Sequence, residues 1–408
     1  MSTTRLHAAR QFWVVVHRWA GLTTALFLAV AGLTGCALAW EDDLEALTAP
    51  QLLLAAPNGH AMRDVVGLRD AALARHPGMA VDFMPLTVAP GHALRLRTSW
   101  ADAKAAPDWD ELFIDPYTGA ELGHRRWGDI TQGTVNLLPM LYRLHYTLLA
   151  GSYGEWVMGV VALVWTLDCF VGFYLTLPPR KAPTAPRGPG WRARWMPAWK
   201  VRWGTNAHKV SFDLHRAGGL WVWPVLLVFA LSSVSLALPQ VYGPLARAAG
   251  GTDERAMLAK ARAPAPDAPP AMNASAARDR GQALAGAQRV NQGTAWLWHI
   301  PSAGLYVYGF STSHDVGDDV AGARVAFDDR SGALRYASLP QTAPAADRFT
   351  NWIVALHMAN VFGWPWRVFE TVIGVAVTAL SITGVLIWMK KRTARLFRLR
   401  REARQLPV

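Results

Sequence analysis

Cysteine is nearly absent: Cys36 and Cys169 are the only two in 408 residues, and both fall inside long apolar runs. A disulfide framework is thereby excluded, and no CxxCH attachment motif occurs anywhere. Acid is also scarce, with 29 Asp and Glu against 41 Lys and Arg and a net charge of +12. No GxGxxG or phosphate-loop pattern stands in a strand-turn-helix setting, so the chain is not expected to bind NAD(P)H or ATP itself.

Apolar length is abundant. Residues 12–40, 154–177, 217–240 and 366–388 each supply the roughly 20 largely apolar residues that cross a hydrocarbon core of about 30 Å. Tryptophans such as Trp13, Trp40, Trp156, Trp221, Trp366 and Trp388 gather near the ends of these runs, at headgroup level. The segment 178–216 holds nine Lys or Arg against Asp213, and the tail after Met389 holds eight against Glu402. With Arg5 and Arg10, both segments are expected on the cytoplasmic side. A basic strip beside membrane spans reflects topology and anionic membrane lipid, which argues against nucleic acid as partner. Leu33-Thr34-Gly35-Cys36 has the form of a lipoprotein cleavage box, but the apolar run continues to Trp40, and a span is the preferred reading.

Two stretches, 41–135 and 241–349, read alike. The first has a helical pattern at 62–75, strand-like runs near 80–88, 91–98 and 111–115, and the turn Asp115-Pro116-Tyr117-Thr118-Gly119 leading to another strand. The second has a helix near 277–290, strands near 295–300, 304–310 and 323–328, and the turn Asp328-Asp329-Arg330-Ser331-Gly332. Residues 261–276, mostly Ala and Pro, predict a flexible connection. Trp191, Trp195, Trp199 and Trp203 recur at the spacing of one helix face, predicting a basic segment lying on the membrane surface.

The fold class expected is therefore a mainly α membrane protein: four transmembrane helices in two span-domain-span repeats, with two small periplasmic α+β domains. Along the chain these are a cytoplasmic terminus with the first span (1–40), the first domain (41–135), a His-bearing helix with the second span (136–177), and a basic cytoplasmic loop (178–207). The third span (208–240), the second domain (241–349), a His-bearing segment with the fourth span (350–388) and a basic cytoplasmic tail (389–408) complete the order.

Four histidines follow the repeat. His17 in HRWAGL and His215 in HRAGGL open the first and third runs, 198 residues apart, while His145 and His357 precede the second and fourth, 212 residues apart. An ionisable residue at membrane depth is costly and marks function, and neutral imidazole is a common metal ligand. Two histidines near each membrane face point to axial ligation of two haems: His17 with His215, and His145 with His357. Without CxxCH these are b-type, and bis-histidine ligation suits electron transfer because it leaves no open iron position. Structural zinc wants four ligands, and the spans add only Cys36, Cys169, Glu155, Asp168 and Glu370. Small residues after His17 and His215, with Gly32, Gly35, Gly159, Gly172, Gly374 and Gly384, allow either a flat macrocycle or another helix to come close.

His208 would share a face with His215 about 10.5 Å lower on a continuous helix and is an alternative ligand, although its polar neighbours favour a surface role. His7, His60, His76, His92, His124, His299 and His314 read as surface residues. Met140 and Met358 read as packing, the latter pointing about 100° from His357 on a helix.

At these residues the chain resembles the PepSY-associated transmembrane family: an HRW-x-GL start, an L-T-G ending of the first span, a D-x-x-T/S-G hairpin, and an LH-x(5,6)-G approach to the even spans. The resemblance runs from about residue 10 to 395, with Cys36 departing from the small residue expected after L-T-G. It implies an inner-membrane protein of iron and siderophore uptake with paired periplasmic PepSY-like domains, some members resembling ferric-siderophore reductases. Carried over, it places His17 and His215 at the cytoplasmic-side haem and His145 and His357 at the periplasmic-side one. The activity expected is electron transfer from a cytoplasmic or quinol donor to a ferric siderophore, which releases ferrous iron. The alternative is a cofactor-free, membrane-anchored PepSY binding or regulatory module. A transporter finds little support in four spans without a discontinuous helix pair.

Overall fold

A computed structural model describes the chain apart from residues 1–2, 58, 103, 105, 180–187, 253–260, 262–269, 289–292, 318–321 and 404–408. In chain order the elements begin with α1 (Thr3–Leu38), α2 (Glu41–Thr48), α3 (Pro50–Leu53) and α4 (Val65–Arg75). Strands β1 (Met79–Pro85), β2 (Leu94–Trp100), β3 (Glu111–Ile114) and β4 (Glu121–Arg125) follow, then α5 (Leu137–Thr147), α6 (Gly151–Thr176), α7 (Trp191–Trp195), α8 (Ala207–Ala237), α9 (Pro239–Ala248) and α10 (Ala274–Gly286). The chain closes with β5 (Ala295–Ile300), β6 (Leu305–Phe310), β7 (Ala323–Asp328), β8 (Leu334–Ser338), α11 (Ala345–His357) and α12 (Gly363–Ala403). Two compact units result, one of Met1–Ala39, Leu144–Pro239 and Arg367–Val408, the other of Trp40–Arg143 and Gln240–Trp366.

The first unit is built from α1, α6, α8 and α12, each long and apolar enough to cross a membrane, so this is a multi-pass membrane protein. Large apolar side chains such as Leu26 and Leu167 point outward, as lipid-facing surfaces require. A dry layer from all four helices fills the middle, with Leu28, Cys169, Phe229, Ala230, Ile373 and Val377 at its centre. Where α1 crosses α12 the backbones nearly touch: a Cβ added to Gly32 would stand 2.6 Å from the Gly374 carbonyl oxygen. Cys36 lies inside α1 on the same seam, its Sγ donating to the Thr371 carbonyl at 3.3 Å.

Helix boundaries differ from the hydropathy pattern for identifiable reasons. α8 starts at Ala207, before the apolar run, because Asn206 caps it by accepting from the Lys209 amide at 3.0 Å. It stays one helix through Pro224 to Ala237, and Pro239 opens the next element. α12 continues past 388 to Ala403, since no Gly or Pro interrupts its Lys, Arg and Leu-rich continuation. The tryptophan face is shorter than its spacing predicts. Trp191, Trp195 and Trp199 pack in succession with ring centres 5.1 and 5.2 Å apart, the first pair tilted and the second edge to face. Pro197 tightens the second half to a 3₁₀ turn, the chain becomes extended at Lys200, and Trp203 falls off the face. Half of the predicted Ala/Pro connection at 261–276, residues 262–269, lies outside the described residues, and its end is not a linker: Asn273 caps α10, which begins at Ala274.

The second unit holds both α+β halves, joined edge to edge. One antiparallel eight-stranded sheet runs β4-β3-β2-β1-β5-β6-β7-β8. The halves meet through β1 and β5, where Phe83 opposes Trp298, Met84 opposes Leu297 and Pro85 opposes Trp296. Each half contributes one helix, α4 or α10, to a core shared across the seam: Val66, Leu68, Ala277 and Leu284 pack with Leu94, Leu96, Leu297, Tyr308 and Phe327. The two expected hairpin turns are present. The carboxylates of Asp115 and Asp328 accept from amides two and three residues on, and Gly119 and Gly332 take φ of 79° and 66° where the chain reverses.

Buried charge ties α2 to the sheet. The Arg125 guanidinium, inaccessible to solvent, donates to Glu45 at 2.5 Å, to Glu111 at 2.8 Å and to the Val135 carbonyl at 2.7 Å, and Arg95 donates to Glu111 at 2.6 Å. Glu41 lies on the margin of this cluster and is pushed up to about 7, by burial first and then by Glu45 and Asp42. Folding therefore favours its protonated form. That contribution is complete below the ordinary value of 4.5 and is lost as the pH rises through about 7. Glu41→Gln should raise the melting temperature at about pH 8 and leave it nearly unchanged at about pH 4. An equal gain at both pH values would contradict the assignment.

Candidate functional site

An imidazole that offers one nitrogen to a metal needs a hydrogen-bond partner for the other, which fixes tautomer and orientation. For His17, His215 and His145 that partner lies on a neighbouring helix. His17 on α1 places Nδ1 2.9 Å from both carboxylate oxygens of Asp168 on α6. His215 on α8 places Nδ1 3.1 Å from the Leu380 carbonyl and 3.1 Å from Thr383 Oγ1, both on α12. Thr383 gives its own proton to Ala379 at 2.7 Å, so it accepts one from His215. His145 on α5 places Nδ1 2.9 Å from Thr34 Oγ1, whose proton goes to the Val30 carbonyl at 2.7 Å. In each case Nδ1 carries the hydrogen and Nε2 the lone pair. Burial pushes the His145 imidazole down to about 4, which keeps it neutral.

A glycine backs each of these rings. A Cβ added to Gly172 would stand 3.4 Å from Cε1 of His17, one on Gly384 3.3 Å from Cε1 of His215, and one on Gly35 3.4 Å from Cε1 of His145. A methyl there would stand at or just inside van der Waals contact with the ring, and a longer side chain would run into it. Of the other glycines singled out in the sequence, Gly32 and Gly374 serve the α1/α12 crossing, and Gly159 receives Leu238.

His17 and His215 face each other with ring centres 6.2 Å apart and planes inclined at 56°. Two metal–imidazole bonds of about 2.0 Å, each with about 1.1 Å more from nitrogen to ring centre, amount to roughly 6.2 Å. The pair is therefore spaced for one metal atom between two imidazoles. Among the described residues no group of three or more His, Cys, Asp or Glu is placed to hold a bare ion. Two imidazoles with no further protein donor fit a metal whose remaining positions come from a macrocycle, as in haem.

The second pair is disposed differently. His145 packs against Gly35, 18 residues beyond His17 along α1, or about 27 Å at 1.5 Å per residue. His357 is the half-buried last residue of α11, in the other unit. Met358 is the C-cap and not a helical neighbour of His357, because the chain turns there. Directly after both histidines lie all four non-glycine residues with left-handed backbone among the described residues: Leu148 and Leu149 (φ 52° and 59°), Ala359 and Phe362 (φ 53° and 58°). Such conformations cost about 1–3 kcal/mol each and concentrate where function demands a particular geometry. The Trp366 indole braces the second turn by donating to the Leu356 carbonyl at 2.9 Å.

His208 has no partner on Nδ1 among the described residues, unlike the three anchored rings. His60, His92, His124 and His314 are exposed, and the side chain of His7 lies outside the described residues. His76 and His299 are not ordinary surface residues. His76 is half-buried against Glu121 at 3.1 Å, and His299 binds Asp329 at 3.1 Å while stacking on Tyr306. Sequence spacing located the histidines and their glycines. It passed over Asp168, counted only as a spare carboxylate, and Thr34 and Thr383, whose hydroxyls carry no spacing signal.

The sheet unit also has a polar cleft of about 440 Å³ at the seam of its halves, lined by Asp64, Thr87, Arg278, Gln282 and Tyr308. Arg278 spans it to Asp64 at 2.8 Å, so its charges are largely matched internally.

The profile of the PepSY-associated TM region matches residues 14–391. The chain belongs to the PepSY-associated transmembrane family. No curated protein matches it. Within this PepSY-associated chain, Cys36, which stands where a small residue is expected after the L-T-G ending, is packed into the α1/α12 seam.

The close approach of glycine to ring gives a direct test. Gly172→Ala adds a methyl at ordinary contact distance, whereas Gly172→Leu drives a side chain into His17. If the pair holds a haem, the leucine variant should lose the low-spin absorbance that depends on His17, and the alanine variant should keep it. Full retention in Gly172→Leu would show that the ring does not need its present position.

Proposed function

We propose that this chain is a di-haem reductase of the bacterial inner membrane that carries electrons across the bilayer to a ferric siderophore in the periplasm and releases ferrous iron. The observation that carries the reading is the His17/His215 pair: two imidazoles 6.2 Å apart, each with Nδ1 anchored and Nε2 left for a metal. His17 and His215 would hold one b-type haem, and His145 and His357 the other. When bound, haem supplies a one-electron carrier near each face of the membrane.

The chain's own residues do the rest. Asp168, Thr383, Leu380 and Thr34 keep the ligating rings in one tautomer and one orientation. The central layer around Phe229 and Ile373 keeps water out between the two levels. The basic segments 188–216 and 390–402 support a cytoplasmic position for that end of the bundle, where a cytoplasmic or quinol donor would deliver electrons. The eight-stranded unit then stands in the periplasm. Its polar cleft offers hydrogen-bonding groups to an oxygen-rich chelate without a fixed net charge. Reduction to ferrous iron weakens hard-oxygen chelation, and release follows without cleavage of the siderophore.

Pyridine haemochrome analysis of protein from haem-replete cells should give close to two extractable haems per chain. His215→Ala should lose one of them, while His208→Ala keeps both with an unchanged low-spin spectrum. A colourless, fully folded preparation would leave the cofactor-free binding module as the function.

Dithionite-reduced protein should be reoxidised by a ferric siderophore, with ferrous iron captured by a ferrous-specific chelator. In sealed vesicles of known orientation, His145→Ala should block transfer to an acceptor on the periplasmic face and leave reduction of the His17-side haem intact. Unchanged transfer in that variant would remove His145 from the path.

A further inference from the structure

One break in the repeat lies beside the facing imidazoles. His145 and His357, Gly172 and Gly384, and Asp168 and Leu380 are each 212 residues apart, so α6 and α12 meet the facing imidazoles with equivalent residues. In the second half the ring's Nδ1 finds a backbone carbonyl and a threonine hydroxyl, both neutral. In the first half the equivalent position is Asp168, with both oxygens 2.9 Å from Nδ1 and its side chain only 12% exposed. His145 likewise has a neutral partner, Thr34.

A carboxylate in the bilayer region is expensive, and bonding a ring that a carbonyl can bond equally well does not account for it. What the carboxylate adds is charge. An anionic acceptor on Nδ1–H raises electron density at Nε2, so the ligand donates more strongly to iron and favours the oxidised state. The negative charge itself, in a medium of low dielectric constant, acts in the same direction.

We propose that Asp168 is a positioning residue that sets the potential of the His17/His215 haem below that of the His145-side haem, so that electrons run downhill from the cytoplasmic to the periplasmic side. This rests on the di-haem reading above. The direction of transfer is then set by the charge of one side chain beside the His17 ring.

Potentiometric titration of purified wild-type and Asp168→Asn protein tests it. Asparagine keeps the acceptor oxygen and removes the charge. At the poise that half-reduces the His17-side haem of the wild type, the reduced-to-oxidised ratio in the variant should rise at least tenfold, an upward shift of about 59 mV for one electron. The His145-side haem should not move. In the wild type the lower-potential haem should be the one lost in His215→Ala, a measurement that stands even where Asp168→Asn loads poorly. An unshifted or lowered potential in a haem-replete Asp168→Asn, or a wild type whose His215-dependent haem is the higher of the two, overturns the proposal. A wild type without haem overturns the reading beneath it as well.

Discussion

Every ring N–H placed among apolar helices has to be partnered from within the protein, because hydrocarbon supplies no acceptor. This constraint organises the bundle. His17 is satisfied from α6, His215 from α12 and His145 from α1, so each bond that sets a ring's tautomer also sets the register of two helices. A slide of either helix by one residue would break the bond and bring a side chain where a glycine now backs the ring. Packing and ligand geometry are thus the same set of contacts.

The sheet unit meets a parallel demand with charges. Glu45 and Glu111 are almost completely buried, and Arg125 joins them from the end of β4. Removing one member of such a cluster strands the others and costs about 3–5 kcal/mol. The segment that follows α1 is thereby fixed to the sheet as firmly as a hydrophobic contact would fix it, and with a defined orientation. The left-handed residues after His145 and His357 show the reverse case, local strain held in place by the helices on either side.

The spans, the small-residue positions and the repeated histidines were legible because hydropathy and repeat spacing depend on neighbours along the chain. Strands β1 to β3 and β5 to β7 were legible for the same reason, to within a few residues. The joining of the halves was not. Met84 and Leu297 pair across more than two hundred residues, and nothing local at either strand says which edge stays open. Asp168 was misjudged because a carboxylate gains its meaning only from the ring it faces. His299 looked exposed because its burial comes from Tyr306, on the next strand. The tryptophan face ends one turn before the i+4 spacing predicts because Pro197 turns the helix into a 3₁₀ segment.

The edge-to-edge sheet has a consequence of its own. Pairing β1 antiparallel to β5, its repeat counterpart, is what a two-fold axis between equivalent strands produces, and within the helical unit His17 facing His215 is a second contact between equivalents. Both are isologous contacts inside a single polypeptide, the kind that normally hold identical subunits together. A chain of half this length would have had an open β1 edge and a lone imidazole, and a second copy of itself would have met both needs. The present protein joins two such halves in one chain, and that leaves them free to differ at a residue such as Asp168.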